Sequence, residues 1–536
     1  MTDLADLALG SFSADGPWEI DPTTMTWRYG IDGVRAATKA EERRLTKRRR
    51  LPPGLRVIRT GLVLGGAIGG WALTDRRRYA GTPQSRAGLA RRLRVAFQRL
   101  GPTYIKLGQI ISSGEGIFPE ELVGEFRLLR DRVPPESWET VQKILEEDLG
   151  TPISEVFAHI ERTPMAAASI AQVHAATLLD GTEVAVKVQR PTVQQRVHQD
   201  LAAMVWIAPL LVGRIPVTAL ANPPALVELF AETIVEELDF RLEAQNMLDV
   251  AAVLASTNHR AVIVPRPHPE LVTRRVLVME KIQGFSFEDV AGMKAAGVDT
   301  NAVVRACMVL LMEGCMLHGV FHGDMHGGNL LVRADGSVAL LDFGITGRLD
   351  EQKRLAFLRL MIGSTSGDTK AQLGGLVDLG ALPSDTDLDQ LIVDLGIEGP
   401  IKDPTKMSPD EITAELQDIV KKLLGYGARM PKELMLFVKD MLFIDAALTT
   451  LAPDVDLFAE MGWIAGHFAT QHGERIAADI GIDITDMTPD LDAMRAGFGI
   501  AEEVDSLSHA DLRARRQQVR EQFEANRRKG RRAKRS

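Results

Sequence analysis

The sequence predicts an α+β fold of two lobes, the first rich in β-strands and the second largely helical. Helical spacing of apolar residues gives way to alternating β-type runs after Pro164 and returns after about Phe285. Asp-Gly pairs at Asp180 and Asp335 stand between apolar runs, which is typical of β-hairpins. The polar segment HGDMHGGN, residues 322–329, lies between an apolar helix and the second of these hairpins. The order of these features predicts a site at the start of the helical lobe.

The composition is that of a globular protein with two basic flanking segments. The 536 residues are 45% hydrophobic and 25% charged, with a formal net charge of -9. Residues 33–60 nevertheless carry ten Lys and Arg against two Glu, and residues 512–536 carry eleven against two. Basic flanks on an acidic body suggest a membrane or nucleic-acid surface, or a solvated tail. The two cysteines, Cys307 and Cys315, form no CxxC pattern, which argues against a disulfide framework or a zinc site.

We expect five regions along the chain. They are a basic extension (1–85, irregular over 1–80), a helical region (86–150), a β-rich lobe with a helical insert (151–283), a helical lobe (284–480) and a helical, basic tail (481–536). The extension contains the apolar segment GLVLGGAIGGWAL, residues 61–73, which is too short to span a bilayer by itself. It is either an interfacial anchor or a buried packing helix, and we favour the second.

The segment HGDMHGGN begins a constellation that can bind a nucleotide. Asp324 and Asn329 are five residues apart, and thirteen residues later Asp342 opens the sequence Asp-Phe-Gly. This order matches the protein-kinase pattern HRDxxxxN, hairpin, DFG. Asn329 and Asp342 are hard oxygen ligands suited to the Mg²⁺ of ATP, and Asp324 can orient or deprotonate an acceptor hydroxyl. The sequence thus predicts a bilobal, protein-kinase-like fold.

A lysine in the β-rich lobe fits the same interpretation. Lys187 stands in the strand EVAVKVQ, where burial is costly without a partner. In a kinase such a lysine contacts the α- and β-phosphates and a helical glutamate. In the segment ELFAETIVEELDFRLEAQNML, taken as one helix, Glu237 lies about 120° from Glu243, and either could be that partner. Glu280 and Lys281, which follow the strand RRVLV, stand where backbone groups would meet adenine.

The expected phosphate loop lacks the glycines of a kinase. The equivalent positions are Ala166, Ala167, Ala168 and Ser169. Small residues let backbone N–H groups approach phosphate, but alanine resists the positive φ angles that glycine adopts. We expect this loop to be stiffer and to hold phosphates differently from a glycine-rich loop.

Five motifs in this order, AAASIAQVH, VAVKVQRP, ELDFRLEAQN, HGDMHGGN and LDFG, resemble the UbiB/AarF family of atypical protein-kinase-like proteins. The segment YIKLGQIISS resembles the family's KxGQ signature, here Lys106 to Gln109. The resemblance covers roughly residues 86–450. It implies an N-terminal helical KxGQ extension on the kinase-like fold, ATP or ADP with Mg²⁺ as cofactors, and ATPase activity more than phosphorylation of other proteins.

The resemblance also implies roles for individual residues. The KxGQ helix would fold over the site where a peptide would dock, with Lys106 reaching the acidic pair Glu237 and Asp239. Glu243 would then be the partner of Lys187. The family is linked to isoprenoid-quinone biosynthesis and lipid homeostasis, which implies an anionic membrane surface or a lipid or quinone-pathway partner. We expect a cytoplasmic protein that can lie at the inner face of the plasma membrane.

The sequence departs from the family in places. Its catalytic loop lacks the proline before the second glycine, and a basic tail stands where some bacterial members have two membrane spans. No APE-like motif follows Gly344, so the usual peptide-docking segment is missing or rebuilt. The alternative functions are a small-molecule phosphotransferase of the aminoglycoside or choline kinase type and a nucleotide-switched scaffold. A nucleic-acid role for the tail is a weaker alternative, because no aromatic interleaving supports it.

Overall fold

The structure is a computed structural model that describes most of the chain. The described residues are 12, 25–47, 51–79, 82–112, 118–129, 134–211, 223–366, 368–396, 419, 422–423, 425–428, 430–481, 507–514 and 517. They form two compact units. The first comprises Met1–Ser256, Ile263–Gln283 and Leu340–Ile345, and the second comprises Thr257–Val262, Gly284–Ala339 and Thr346–Ser536. Most of the predicted tail, residues 481–536, lies outside the described residues.

Helices dominate the N-terminal part of the first unit. They are α1 (Ile31–Thr46), α2 (Gly54–Leu73), α3 (Asp75–Arg78), α4 (Pro83–Leu100), α5 (Pro102–Ser112), α6 (Glu120–Phe126) and α7 (Trp138–Leu149). The expectation of an irregular segment over residues 1–80 is therefore wrong for α1 and α2. Both pack on later helices of the unit, and that tertiary burial stabilises helices whose charges and glycines gave little helical signal.

The apolar segment at residues 61–73 is part of α2, a helix of 20 residues. The expectation of a packing helix is confirmed for one side of α2, where Leu64 and Trp71 are buried in the core, and is wrong for the other side, which is exposed. Leu55, Ile58 and Leu62 are 82%, 55% and 71% exposed. In the described part of the chain, two stretches are long and apolar enough to cross a membrane, Gly54–Arg78 with 17% of its apolar window buried and Thr300–His318 with 72% buried. The second has the burial of a core helix.

The first unit also contains an antiparallel sheet. Its strands are β1 (Phe157–Ile160), β2 (Ala166–Ala167), β3 (Ala171–Leu178), β4 (Glu183–Gln189), β6 (Pro267–Val272) and β7 (Val276–Glu280), and the short β5 (Val262–Ile263) lies outside this sheet. The order is β1-β3-β4-β7-β6, with β2 paired to β3. The predicted hairpin between β3 and β4 is confirmed, and Gly181 in its turn has a φ of 91°.

The helical insert consists of α8 (Val193–Leu211), α9 (Pro223–Glu236) and α10 (Phe240–Ser256). The expectation of one continuous helix through Glu237 and Glu243 is wrong, because α9 ends at Glu236. The side chain of Asp239 accepts a hydrogen bond from the Arg241 backbone N–H, as an N-cap residue does, and α10 begins at the next residue. The break places Glu237 in a turn and Glu243 in the first turn of a new helix.

The second unit is largely helical, as predicted. Its elements are β8 (Phe285–Ser286), α11 (Val290–Ala295), α12 (Thr300–Glu313), β9 (Val320–His322), β10 (Leu330–Val332), β11 (Val338–Leu340), β12 (Thr346–Arg348), α13 (Glu351–Ser366), α14 (Thr369–Asp378), α15 (Leu388–Leu395), α16 (Lys432–Leu451) and α17 (Leu457–Ile480). The predicted hairpin of β10 and β11 is confirmed, with Gly336 at a φ of 86° in its turn.

A buried carboxylate holds the end of the helix that precedes the segment HGDMHGGN. Glu313, the last residue of α12, accepts hydrogen bonds from His467 and His472 of α17 at 2.9 Å each and contacts His259 at 3.2 Å. Burial alone would raise the pKa of Glu313, but bonds to the three imidazoles hold it well below its ordinary value. This network fixes the start of the segment that ends in HGDMHGGN.

Candidate active site

Lys187 forms the centre of a charged cluster in the first unit. Its Nζ is 2.6 Å from Glu243 Oε1 and 3.2 Å from Asp342 Oδ2. The ring of Phe240 lies 5.3 Å from the same nitrogen. Burial alone would lower the pKa of Lys187, but the charges of Asp342 and Glu243 raise it instead. The lysine is therefore a fixed cation held between two carboxylates.

The residue pattern left Glu237 and Glu243 as candidate partners of Lys187, and in the structure Glu243 makes the contact. It lies in the first turn of α10, where the helix dipole favours a negative charge, and its side chain is 4% exposed. Burial raises the pKa of Glu243 to about 7, although the Lys187 ammonium opposes that rise. The ion pair is thus complete only near and above neutral pH.

The Asp342-Phe343-Gly344 segment is anchored by backbone hydrogen bonds. Asn246 of α10 donates to the Phe343 carbonyl at 2.9 Å, and the Gly344 N–H donates to Asp342 Oδ1 at 2.9 Å. The Phe343 side chain is fully buried, whereas that of Asp342 is 43% exposed. A β-carbon at Gly344 would lie 3.2 Å from Glu237 Cγ, so glycine allows this close approach. The Asp342 carboxylate is thereby held in place with solvent access for a ligand.

The KxGQ motif lies on α5. Its lysine contacts Glu237, whose side chain lies beside Gly344 of the Asp342 segment. Lys106 Nζ is 3.0 Å from Glu237 Oε1, and both side chains are more than four-fifths buried. Gln109 is half-buried one turn later, on the same helix face as Lys106. A β-carbon at Gly108 would lie 2.3 Å from Leu129, so the glycine lets α5 pack closely against its neighbour.

The Asp239 carboxylate contacts Arg241, two residues later in the chain. It forms an ion pair with Arg241 at 2.7 Å, besides capping α10. The structure therefore brings Lys106 to Glu237 and gives Asp239 a positioning role at the helix start.

The alanine-rich loop is a tight connection between β2 and β3. Ala166 and Ala167 pair with β3, and the Ala168 N–H donates to the Ala171 carbonyl at 2.8 Å. Among the described residues only Asn258 has a positive φ outside glycine, so the alanines keep ordinary backbone angles. Ser169 is buried. The Ala168 N–H is already used inside the turn, so how this loop would hold phosphates stays a prediction.

Glu280 and Lys281 lie at the exit of β7. The Glu280 backbone N–H donates to Arg266 at 2.8 Å, and the buried Glu280 carboxylate accepts from the Arg266 N–H at 3.2 Å. Lys281 reaches Glu183 at 3.4 Å. Both side chains thus have structural partners within the first unit.

In the second unit, the catalytic-loop residues form their own network. Asn329 Nδ2 donates to the Asp324 carbonyl at 3.1 Å, which closes the loop between them. His322 Nδ1 accepts from the Asp324 N–H at 3.2 Å, and His326 Nδ1 accepts from the Gly328 N–H at 3.1 Å. The loop is therefore held by its own residues despite the missing proline.

Two residues of α16 take part in this network and were missed by the sequence argument. Lys439 forms an ion pair with the Asp324 carboxylate, and the fully buried Asp440 accepts from the Met325 N–H at 2.9 Å. Burial raises the pKa of Asp440 well above its ordinary value, although the Lys439 charge and the Met325 N–H oppose that rise. The pair lies more than a hundred residues from Asp324, and no local pattern marks it.

Comparisons with known proteins show which family and relatives the chain resembles. Residues 128–373 match the family described as ABC1 atypical kinase-like domain. An uncharacterised protein of Mycobacterium tuberculosis is 37% identical over 386 residues, which cover 70% of this chain and 76% of that protein. A probable protein kinase UbiB of Marinobacter nauticus is 32% identical over 389 residues, with 70% and 69% covered.

A solved structure shows a partial likeness. It is a complex of the Mycobacterium tuberculosis protein Rv3197 with erythromycin, with 22% sequence identity and a TM-score of 0.38. The alignment covers 66% of this chain and 93% of that one.

Proposed function

Because the chain belongs to the UbiB/AarF family of atypical protein-kinase-like proteins, we propose that it binds ATP with magnesium and acts as an ATPase or phosphotransferase. The observation that carries the proposal is the cluster of Lys187, Glu243 and Asp342 in the first unit. A buried lysine between two carboxylates is a group prepared for phosphate oxygens, because its charge is already desolvated and its position is set. An isolated buried lysine would be destabilising.

The residues fit a magnesium nucleotide by their chemistry. Asp342 is an accessible carboxylate, and Asn329 offers an amide oxygen on a closed loop. Carboxylate and amide oxygens are ligands that Mg²⁺ accepts, and bound Mg²⁺ would offset the charge of the phosphates. We assign Lys187 to the phosphates and Asp324 to orienting or deprotonating the acceptor, whether water or a hydroxyl.

The pathway proposed is isoprenoid-quinone or membrane-lipid metabolism. It is supported by the family and by α2, which exposes Leu55, Ile58 and Leu62 beside the exposed Arg59. Exposed apolar residues next to an arginine on one helix suit the surface of an anionic membrane. We therefore place the enzyme at such a surface.

An ATPase assay on the purified full chain tests the proposal. We expect magnesium-dependent ATP binding and slow turnover that increases with vesicles containing phosphatidylglycerol and not with phosphatidylcholine alone. Absence of both binding and turnover under all these conditions would overturn the nucleotide function. A phosphorylated small metabolite as the product would favour the aminoglycoside-kinase type instead.

The pKa of Glu243 predicts a pH dependence. A carboxyl with a pKa of about 7 is protonated below that pH, so the Lys187–Glu243 ion pair forms as the pH rises through 7. We expect kcat/KM for ATP to rise through an apparent pKa near 7 in the native protein. Glu243→Gln should be less active and lack this limb, while Glu270→Gln, which alters an exposed acid of the same unit, should keep it.

Lys439 is expected to position Asp324. The Lys439→Met variant should lower kcat roughly tenfold, which is about 1.4 kcal/mol, and leave the Kd of ATP unchanged. The matched control is Lys353→Met. It removes a lysine of α13 that pairs at 3.1 Å with Glu433 of α16, the helix that also carries Lys439. Equal kcat values for the two variants would contradict the assignment.

A further inference from the structure

A cavity of about 410 Å³ opens in the first unit on the N-terminal side of α5. Its wall includes residues of α2, the end of α4, Ser169 of the alanine-rich loop and the beginning of α8. We call it the arginine pocket, because its cationic lining consists of Arg56, Arg59, Arg99, Lys106, Arg190 and Arg196. Two carboxylates of the described residues, Glu136 and Asp200, line the same space.

Three of the six cations are neutralised by neighbouring carboxylates. Arg56 pairs with Asp200, Arg190 pairs with Glu136 at 2.9 Å, and Lys106 pairs with Glu237 at 3.0 Å. These pairs use both carboxylates of the lining. Among the described residues of the lining, no third carboxylate is present to pair with the remaining arginines.

Arg59, Arg99 and Arg196 are the remaining cations. Within the part of the chain that the structure describes, none of the three has a carboxylate partner. Arg59 donates to the Arg99 backbone carbonyl at 3.1 Å, which holds these two residues together. All three side chains are solvent-exposed, so water and salt screen their mutual repulsion, and a bound anion would be attracted by all three charges.

Backbone dipoles add to the positive potential. The lining includes Gly101, Pro102 and Thr103 at the start of α5 and Thr192 and Val193 at the start of α8. The positive end of each helix dipole lies at these residues, although Pro102 has no N–H and the Val193 N–H donates to the Arg190 carbonyl at 3.3 Å. Two helix starts of 11 and 19 residues thus face the space that the arginines surround.

We propose that the arginine pocket is an anion site for a phosphate-bearing group, separate from the Lys187 cluster. Guanidinium groups bind phosphate oxygens with paired hydrogen bonds, and the cavity volume suits a phosphate or diphosphate with its waters. The phosphate can belong to a soluble compound or to a lipid headgroup. Arg56 and Arg59 come from α2, whose exposed leucines lie beside them, so a headgroup can reach the pocket from a membrane surface.

The pocket is coupled to the nucleotide cluster through one lysine. Lys106 lines the pocket and pairs with Glu237, whose Cγ lies next to Gly344 of the Asp342 segment. An anion in the pocket competes with Glu237 for Lys106. Anion binding in the pocket would then break the Lys106–Glu237 ion pair, and the loss of that pair would alter the surroundings of the Asp342 segment. This coupling rests on the proposed function, whereas anion binding does not.

The test measures binding of inorganic diphosphate to the full chain by calorimetry. The pocket variant is Arg99→Ala/Arg196→Ala, and the control, with the same change in net charge, is Arg162→Ala/Arg260→Ala at two exposed positions. We expect affinity to fall at least about tenfold in the pocket variant and to persist in the control. Asp342→Asn should keep diphosphate binding, which separates the pocket from the nucleotide cluster. Equal affinity in both double variants, or loss of binding in Asp342→Asn, overturns the proposal.

Two further measurements identify the source of the phosphate and guard against misfolding. If the ligand is a headgroup, cosedimentation with phosphatidylglycerol vesicles falls in the pocket variant. If it is a soluble phosphate, vesicle binding is kept while diphosphate binding is lost, and both results support the site. Because the substitution removes repelling charges, the Tm without ligand should be equal or higher. Should the double variant fail to fold, Arg196→Gln alone is expected to reduce the rise in Tm that diphosphate causes, and an unchanged rise contradicts the proposal.

Discussion

Asp342→Asn is expected to lower ATP turnover at least about 10²-fold, which corresponds to roughly 2.7 kcal/mol of transition-state stabilisation. The substitution keeps the shape of the side chain and an oxygen that can accept the Gly344 N–H, so the segment should stay in place. What it removes is the negative charge that faces Lys187 and that a magnesium ion would require. We expect magnesium to stop improving ATP affinity in this variant.

The control for this prediction is Asp180→Asn. Asp180 stands in the exposed turn between β3 and β4, where its side chain accepts the Thr182 N–H, and asparagine before glycine preserves such a turn. Turnover and the effect of magnesium should match the native protein. If Asp342→Asn behaved like this control, the nucleotide function proposed here would have to be abandoned.

Lys187→Met is expected to abolish turnover and to destabilise the first unit. Removing the lysine leaves the buried Glu243 without its cation, and breaking one side of a buried ion pair costs about 3–5 kcal/mol. The cost should shrink at low pH, because a protonated Glu243 needs no counter-ion. Urea unfolding at pH 8 and at pH 5 measures this difference, which should be clearly larger at pH 8.

A double variant separates stability from function. Lys187→Met/Glu243→Gln removes both charges, so we expect it to recover much of the lost free energy of unfolding without recovering turnover. Lys143→Met, which breaks an exposed pair with Glu147 on α7, should change neither quantity measurably. A destabilisation of Lys187→Met that did not depend on pH would show that the charge of Glu243 is not the cause.

Short sequence patterns were sufficient to predict the two hairpin turns and the strand that carries Lys187. The turns at Gly181 and Gly336 follow from Asp-Gly pairs, because glycine is the residue that reaches positive φ without strain. The alternation in EVAVKVQ predicts the strand that holds Lys187, and the same segment is β4 in the structure. These features depend on a few adjacent residues, so one sequence is enough to predict them.

The partner of Lys187 needed more than the pattern of charges. Treating residues 228–248 as one helix left Glu237 and Glu243 as equal candidates. In the structure the helix is interrupted before Asp239, whose side chain caps α10. The angle of 120° between Glu237 and Glu243 therefore does not apply, because it assumed that both lie on one helix. Glu237 then pairs with Lys106 and Glu243 with Lys187. Apolar residues at helical spacing favour one continuous helix over this segment, whereas the capping hydrogen bond of Asp239 favours a break. The spacing alone does not show which of the two effects is stronger.

The sequence by itself thus determined the kinase-like class of the fold, the two hairpins, and the lysine, aspartates and asparagine of the candidate site. Tertiary structure alone decided which charges meet. Lys439 reaches Asp324 from a helix 115 residues away, and Arg59, Arg99 and Arg196 come together from three separate helices. The physical reason is range: turn and strand propensities act between neighbours in sequence, whereas ion pairs and cavities arise only when packing brings distant elements together.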